Sequence, residues 1–143
     1  MKILIDADGC PVVDITLDIA KERDIPTVIL CDTSHLINRE GAKTITVSKG
    51  SDSVDFSLIR MLEKGDVVVT QDYGLAGMVL AKGGKAIRQD GLIYNENNID
   101  RLLDERHNAK KLRKSRVRFK GPKKRTPEDD LKYIEELKRI LGD

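Results

Sequence analysis

Residues 3–12 read ILIDADGCPV, a branched apolar run that leads into two aspartates one residue apart. Such a run, beginning at residue 2, predicts a strand that is buried on both faces, as in a parallel sheet with helices on each side. Pro11 then stands where a helix can begin, because proline suits the first helical turn. Two carboxylates so close together repel each other and are costly to desolvate. The stretch therefore predicts a strand end that either lies in water or binds a cation.

Four further apolar runs alternate with segments of helical periodicity along the chain. The runs span 27–31, 42–47, 66–70 and 85–88. The helical segments span 11–23, 54–64, 71–84, 95–114 and the residues from Thr126 onward. This alternation predicts an α/β fold, a three-layer sandwich with a mainly parallel central sheet. We expect an α/β domain over 1–109, with a basic extension and terminal helix over 110–143 as part of the same single domain.

The composition excludes several classes of protein. With 35% charged and 39% hydrophobic residues in 143, the chain suits a soluble globular domain rather than a disordered one. No apolar run approaches the roughly 20 residues that span a bilayer, and no signal-peptide pattern opens the chain, so we expect a cytoplasmic protein. Cys10 and Cys31 lack the paired spacing of a zinc ribbon or a disulfide framework.

Acidic residues follow three of the predicted strands at the point where each strand ends. Asp6 and Asp8 follow the first strand, Asp52 and Asp55 the third, and Asp72 the fourth. Parallel strands place their carboxyl ends at one edge of the sheet, where ligands bind. Oxygen ligands suit Mg²⁺ or Mn²⁺. We therefore predict that all five acids bind metal and that Asp6, Asp8, Asp55 and Asp72 form the catalytic set.

These residues also have simpler interpretations. Asp8, Asp52 and Asp72 are good helix N-caps, and each alone is explained by capping. Asp32 follows the second strand, but we expect it toward the sheet edge and leave it out of the set. Cys10 is either a nucleophile activated by a helix start or, as we favour, a small buried hydrophobe. Candidates to line the site are Cys10, Ser34, His35 and Ser51.

The net charge of +2 hides a strong asymmetry. Residues 1–99 hold 11 Lys+Arg and 15 Asp+Glu, whereas residues 100–143 hold 15 and 9. Ten basic residues and no acidic one lie between Lys110 and Arg125, a stretch we call the basic arm. This density of positive charge predicts contact with a nucleic-acid backbone. The predicted contact residues are Lys110, Lys111, Arg113, Lys114, Arg116, Arg118, Lys120, Lys123, Lys124 and Arg125.

Because the chain has only three Tyr, two Phe and no Trp, we expect base-stacking platforms to be hard to assemble.

Five motifs resemble those of the YaiI/YqxD family of bacterial proteins. They are DADGCPV (6–12), GSDSVDF (50–56), GDVVVTQDYGLA (65–76), NENNID (95–100) and KGP (120–122), and they cover nearly the whole chain in the same order. The resemblance implies a PIN-like fold, a nuclease-type α/β sandwich with acidic metal ligands at its strand ends. By position, it implies that the first ligand is Asp6 with Asp8 beside it, the central one Asp52 or Asp55, and the last Asp72.

The leading functional hypothesis is a nuclease that depends on Mg²⁺ or Mn²⁺ and acts on RNA in preference to DNA. One alternative is a phosphatase, because ILIDADG also resembles the DxDG opening of haloacid-dehalogenase-type enzymes. Against it, Cys10 stands where those enzymes usually carry threonine. The second alternative is a non-catalytic PIN-like protein that binds RNA, a ribosome or a protein partner. We expect no membrane partner, and a homodimer is a candidate assembly.

Overall fold

The central feature of the molecule is a five-stranded parallel sheet. The structure, a computed structural model, describes residues 1–32, 38–48, 53–114 and 124–142, and for residues 53 and 106–114 the backbone alone. Within these residues the strands are β1 (Ile3–Asp6), β2 (Thr27–Asp32), β3 (Lys43–Val47), β4 (Val67–Val69) and β5 (Lys85–Ile87). They pair in the order β3-β2-β1-β4-β5, and every pairing is parallel. The predicted α/β class and parallel sheet are therefore confirmed.

Five helices accompany the sheet in the described part of the chain. They are α1 (Val13–Glu22), α2 (Ser53–Met61), α3 (Tyr73–Ala81), α4 (Glu96–Lys114) and α5 (Pro127–Ile140). The predicted start of the first helix at Pro11 was wrong by two residues, because Val12 has non-helical dihedral angles and serves as the N-cap. None of the described helices is both long and apolar enough to cross a membrane.

Helices cover both faces of the sheet, which makes three layers. Ile3 and Ile5 of β1 point to the face covered by α1 and α5, and Leu4 points to the face covered by α2, α3 and α4. All three side chains are fully buried. Burial on both faces is the physical reason that the strands are continuous apolar runs rather than alternating ones.

The terminal helix α5 belongs to the same hydrophobic core as the sheet. Its Tyr133, Leu137 and Leu141 pack in one cluster with β1 and α1. The Tyr133 hydroxyl also hydrogen-bonds the Thr16 hydroxyl at 2.6 Å, and both side chains are fully buried. Thus α5 covers apolar surface that the sheet and α1 share.

The strand order creates a crevice at one edge of the sheet. The chain passes from β1 to β2 and β3 on one side, whereas β4 and β5 lie on the other side of β1. The connections that leave β1 and β4 therefore diverge from each other. In open α/β sheets this reversal point, at the carboxyl ends of the strands, is where ligands bind.

At the opposite ends of β1 and β4, their amino ends, an ion pair between Lys2 and the buried Asp66 joins the two strands. The Asp66 carboxylate, just before β4, accepts from Lys2 Nζ at 2.6 Å, from Lys2 N at 3.0 Å and from Glu63 N at 2.8 Å. Burial raises the pKa of Asp66, but these hydrogen bonds outweigh it and the pKa is lowered. This carboxylate is fully engaged in holding the amino ends of β1 and β4 together.

Candidate active site

A cleft of about 510 Å³ opens at the carboxyl ends of β1 and β4, at the reversal point of the sheet. We call it the acid cleft, and its lining residues are Asp6, Asp8, Gly9, Gln71, Asp72 and Tyr73. Gly9 has φ +71°, a left-handed conformation that suits glycine, and turns the chain between Asp8 and Cys10. The Gln71 side chain spans the two strand ends, because its Nε2 donates to the Gly9 carbonyl at 3.0 Å.

Asp6, the last residue of β1, is the electrostatic centre of this cleft. Burial raises its pKa from 3.8 to about 6, and a hydrogen bond from Thr70 works against that rise. The negative charges of Asp55, Asp72 and Asp8 each raise the pKa further. The structure thus brings the other three predicted catalytic acids within electrostatic range of Asp6.

Thr70 links two of these acids, and sequence reasoning missed it. Its buried hydroxyl donates to Asp6 Oδ2 at 2.8 Å and accepts from the Asp72 backbone N–H at 3.0 Å. Its carbonyl accepts from the Tyr94 hydroxyl at 3.1 Å. The signal in the sequence was a hydroxyl residue at the end of the buried run DVVVT, where a polar group needs a partner. Thr70 therefore positions Asp6 relative to Asp72.

The capping alternative describes Asp72 but not Asp8. Asp72 Oδ1 accepts from Gly74 N at 2.9 Å and Leu75 N at 3.2 Å, which caps α3. Asp8 instead accepts from the Asp32 backbone N–H, at 3.2 Å to Oδ2 and 3.4 Å to Oδ1. Capping does not exclude a second role for Asp72, since it fixes the direction of the carboxylate.

We expected Asp32 near an outer strand of the sheet, and this prediction was wrong. It ends β2, which lies between β3 and β1, and its backbone contacts Asp8 directly. The strand order, which no pattern in the sequence specifies, is the reason for the error. Asp32 is therefore a neighbour of the acid cleft.

The donor chemistry of the cleft fits a hard divalent cation. Carboxylate oxygens are the ligands that Mg²⁺ and Mn²⁺ prefer, and positive charge would relieve the repulsion that raises the pKa of Asp6. Across the described ranges, no three His, Cys, Asp or Glu side chains are gathered closely enough to form a metal site. Asp52, the fifth predicted ligand, lies outside the described residues, as do Ser34, His35 and Ser51.

A comparison with known proteins assigns nearly the whole chain to one family. A family model described as "Uncharacterized BCR, YaiI/YqxD family" matches residues 4–143. The chain belongs to the YaiI/YqxD family. A UPF0178 protein of Clostridium acetobutylicum is 50% identical over 143 residues, covering 99% of this chain and 97% of the relative. One from Exiguobacterium sibiricum is 48% identical over 141 residues, covering 99% and 96%. No solved structure matches the chain. The predicted YaiI/YqxD membership is confirmed.

Cys10 of this YaiI/YqxD chain sits just outside the cleft and is half-buried. Burial raises the pKa of its thiol, and the charge of Asp6 raises it further, whereas a Val12 backbone hydrogen bond and Arg125 lower it. A raised pKa keeps the thiol neutral, which disfavours a nucleophile. The packing interpretation of Cys10 therefore has the stronger physical support.

The basic arm of the YaiI/YqxD chain is described only at its two ends. The backbone of 110–114 forms the end of α4, and residues 116, 118, 120 and 123 lie outside the described ranges. Lys124 is exposed, and Arg125 Nε donates to Asp130 Oδ1 at 2.8 Å. Because Arg125 acts electrostatically on Cys10, and Cys10 is within range of Asp6, the arm ends close to the acid cleft.

Proposed function

We propose that this YaiI/YqxD protein is a metal-dependent nuclease with a PIN-like fold, acting on RNA in preference to DNA. The observation that carries the proposal is that Asp6, Asp8 and Asp72 line one cleft at the carboxyl ends of β1 and β4. Asp6 ends β1, Asp8 follows it, Asp72 follows β4, and Asp55 lies in the first turn of α2. The charges of Asp55, Asp72 and Asp8 all act on Asp6, at the reversal point of the sheet.

Asp6, Asp8, Asp55 and Asp72 would hold the Mg²⁺ or Mn²⁺. Such a cation lowers the pKa of bound water and stabilises the charge that develops on a phosphodiester. Asp6 must be ionised to serve, and with a pKa of about 6 it is mostly ionised at neutral pH. The Thr70 hydroxyl and the amino end of α3 hold Asp6 and Asp72 in fixed directions.

The position of the basic arm supports a polyanionic substrate. An acidic cleft by itself repels a phosphate backbone, so a nucleic acid needs positive charge close by. The ten basic residues of the arm would supply it, and Arg125, at the end of the arm, acts electrostatically on Cys10 beside the cleft. This arrangement favours a nucleic acid over a small phosphate monoester.

Cleavage of labelled RNA in Mn²⁺, with and without chelator, tests the proposal. We expect the wild type to cut RNA, and Asp6→Asn and Asp72→Asn to lose at least about a hundredfold in rate. Asp18→Asn is the matched control, because this substitution removes the same charge from an exposed position on α1. Equal cleavage by wild type and Asp6→Asn, or cleavage only of phosphate monoesters, would overturn the proposal.

A further inference from the structure

Tyr73 places an aromatic ring in the acid cleft. It is the first residue of α3, directly after Asp72, and it lines the cleft together with Asp6 and Asp8. The residue Tyr73 is partly exposed, whereas Tyr94 and Tyr133 are buried. The chain has few aromatic residues, yet one of them lies beside the proposed catalytic acids.

The Tyr73 ring is held in place by polar and aromatic contacts. Arg88 Nη1 donates to its hydroxyl at 3.2 Å, and Arg88 is itself fixed by Asp90, at 2.9 Å from Nε and 2.7 Å from Nη2. The ring meets Tyr94 edge-on, with centroids 6.1 Å apart and planes at 63°. Tyr94 in turn donates to the carbonyl of Thr70, the residue that positions Asp6.

A ring fixed in advance loses little conformational entropy when a ligand packs on it. The cleft volume of about 510 Å³ lies within the range of small-ligand sites and exceeds what a phosphate group fills. Aromatic side chains beside a phosphate site are the usual surfaces on which unpaired bases stack. The ring next to the acids therefore has the position and rigidity that base stacking requires.

We propose that Tyr73 is a specificity residue that stacks on the nucleobase next to the phosphodiester bound at the acid cleft. This inference rests on the proposed nuclease function and narrows its substrate to strands with an unpaired base at that position. A base within a duplex already stacks on its neighbours and is not free to meet the ring. One ring serves one nucleotide, so the scarcity of aromatic residues is no obstacle.

Among the described residues, Phe56 is a second aromatic residue near this end of the sheet. It follows Asp55 in the first turn of α2, and its side chain is 68% exposed. Whereas Tyr73 is held by Arg88 and Tyr94, Phe56 is not among the hydrophobic residues packed against either core cluster of the described residues. It also does not line the acid cleft. We therefore assign the stacking role to Tyr73 and use Phe56 as the control.

Binding of base-bearing and base-free strands tests this assignment. The probes are a phosphorothioate-linked RNA of about five nucleotides and the same strand with abasic residues, each measured in Mn²⁺. We expect the wild type to bind the base-bearing strand about tenfold more tightly than the abasic one. Tyr73→Leu, which keeps apolar bulk against the core, should bind the two alike. Phe56→Ala should discriminate like the wild type. Tyr73→Phe, which keeps the ring but loses the Arg88 hydrogen bond, should discriminate more strongly than Tyr73→Leu.

Cleavage of the matching phosphodiester RNA, measured in parallel, separates this inference from the nuclease proposal. If the wild type cuts RNA but Tyr73→Leu still discriminates, or if Phe56→Ala is the variant that loses discrimination, the stacking role of Tyr73 is wrong and the nuclease stands. If discrimination depends on Tyr73 but no strand is cut, the stacking role stands and the nuclease proposal fails. If the wild type neither binds nor cuts, both fail.

Discussion

Asp6 and Asp66 show how one residue type serves opposite purposes at the two ends of adjacent strands. Asp66 is buried with donors around it, and its pKa is lowered. Asp6 is half-buried with other acids around it, and its pKa is raised to about 6. A carboxylate that lowers stability when ionised is best explained by a function that needs the charge. The sequence indicated the acids of the cleft, but not Thr70 or Tyr73, because their roles depend on contacts between strands.

Replacing Asp6 by asparagine should stabilise the protein at neutral pH in the absence of divalent cations. The folded pKa of about 6 lies above the ordinary value of 3.8, so the wild type loses stability as the pH rises from about 4 to above 6. Asp6→Asn lacks this loss, and its advantage should grow from about 0.5 kcal/mol at pH 4 to about 3 kcal/mol at pH 7.5. Urea unfolding in chelator across this range measures it. A pH-independent difference, or the same gain in Asp18→Asn, would contradict the account.

At the scale of elements, the strands were predictable and their order was not. Continuous apolar runs such as residues 66–70 specify strands buried on both faces, and the structure has a strand in each of the five. The pairing of β1 with both β2 and β4 is a tertiary choice, which is why Asp32 was misplaced. The start of α1 was missed because proline is compatible with the turn before a helix as well as with its first residues.

Breaking the ion pair of Asp66 with Lys2, which joins the amino ends of β1 and β4, should lower the stability of the fold and leave metal binding unchanged. Asp66→Asn removes the charge that Lys2 and the Glu63 N–H share, and we expect a loss of about 2 kcal/mol in the free energy of unfolding at pH 7. Because the wild-type pKa is lowered, the loss should shrink as acid protonates Asp66. Urea unfolding at pH 7 and pH 3, with Mn²⁺ titration of the folded variant, checks both statements. A weakened Mn²⁺ affinity would show that the two sheet edges are coupled.

At the scale of the whole molecule, the charge is divided between an acidic body and a basic C-terminal part that contains the basic arm. Residues 1–99 carry a net −4 and residues 100–143 a net +6. The influence of Arg125 on Cys10, and the packing of α5 in one cluster with β1 and α1, bring the two parts together near the acid cleft. The asymmetry was readable from the sequence, whereas its place relative to the cleft required the packing of α5 on α1.

RNA affinity should therefore depend on salt through the basic arm. Replacing Lys120, Lys123 and Lys124 by alanine should reduce the slope of log affinity against log salt by about 2, since each phosphate contact on a single strand contributes about 0.7. Removing three exposed lysines outside the arm, Lys21, Lys43 and Lys64, is the matched control and should leave the slope unchanged. Equal slopes for the two triple variants would place the RNA elsewhere on the protein.

The most direct test of the central claim is calorimetric titration of Mn²⁺ into the wild type, Asp6→Asn and Asp18→Asn, each alone and with a phosphorothioate-linked RNA. We expect the wild type and Asp18→Asn to bind Mn²⁺ and Asp6→Asn not to bind it, because the charges of Asp55, Asp72 and Asp8 all act on Asp6. Mn²⁺ binding of equal affinity in all three proteins, or no binding by the wild type under either condition, would contradict it.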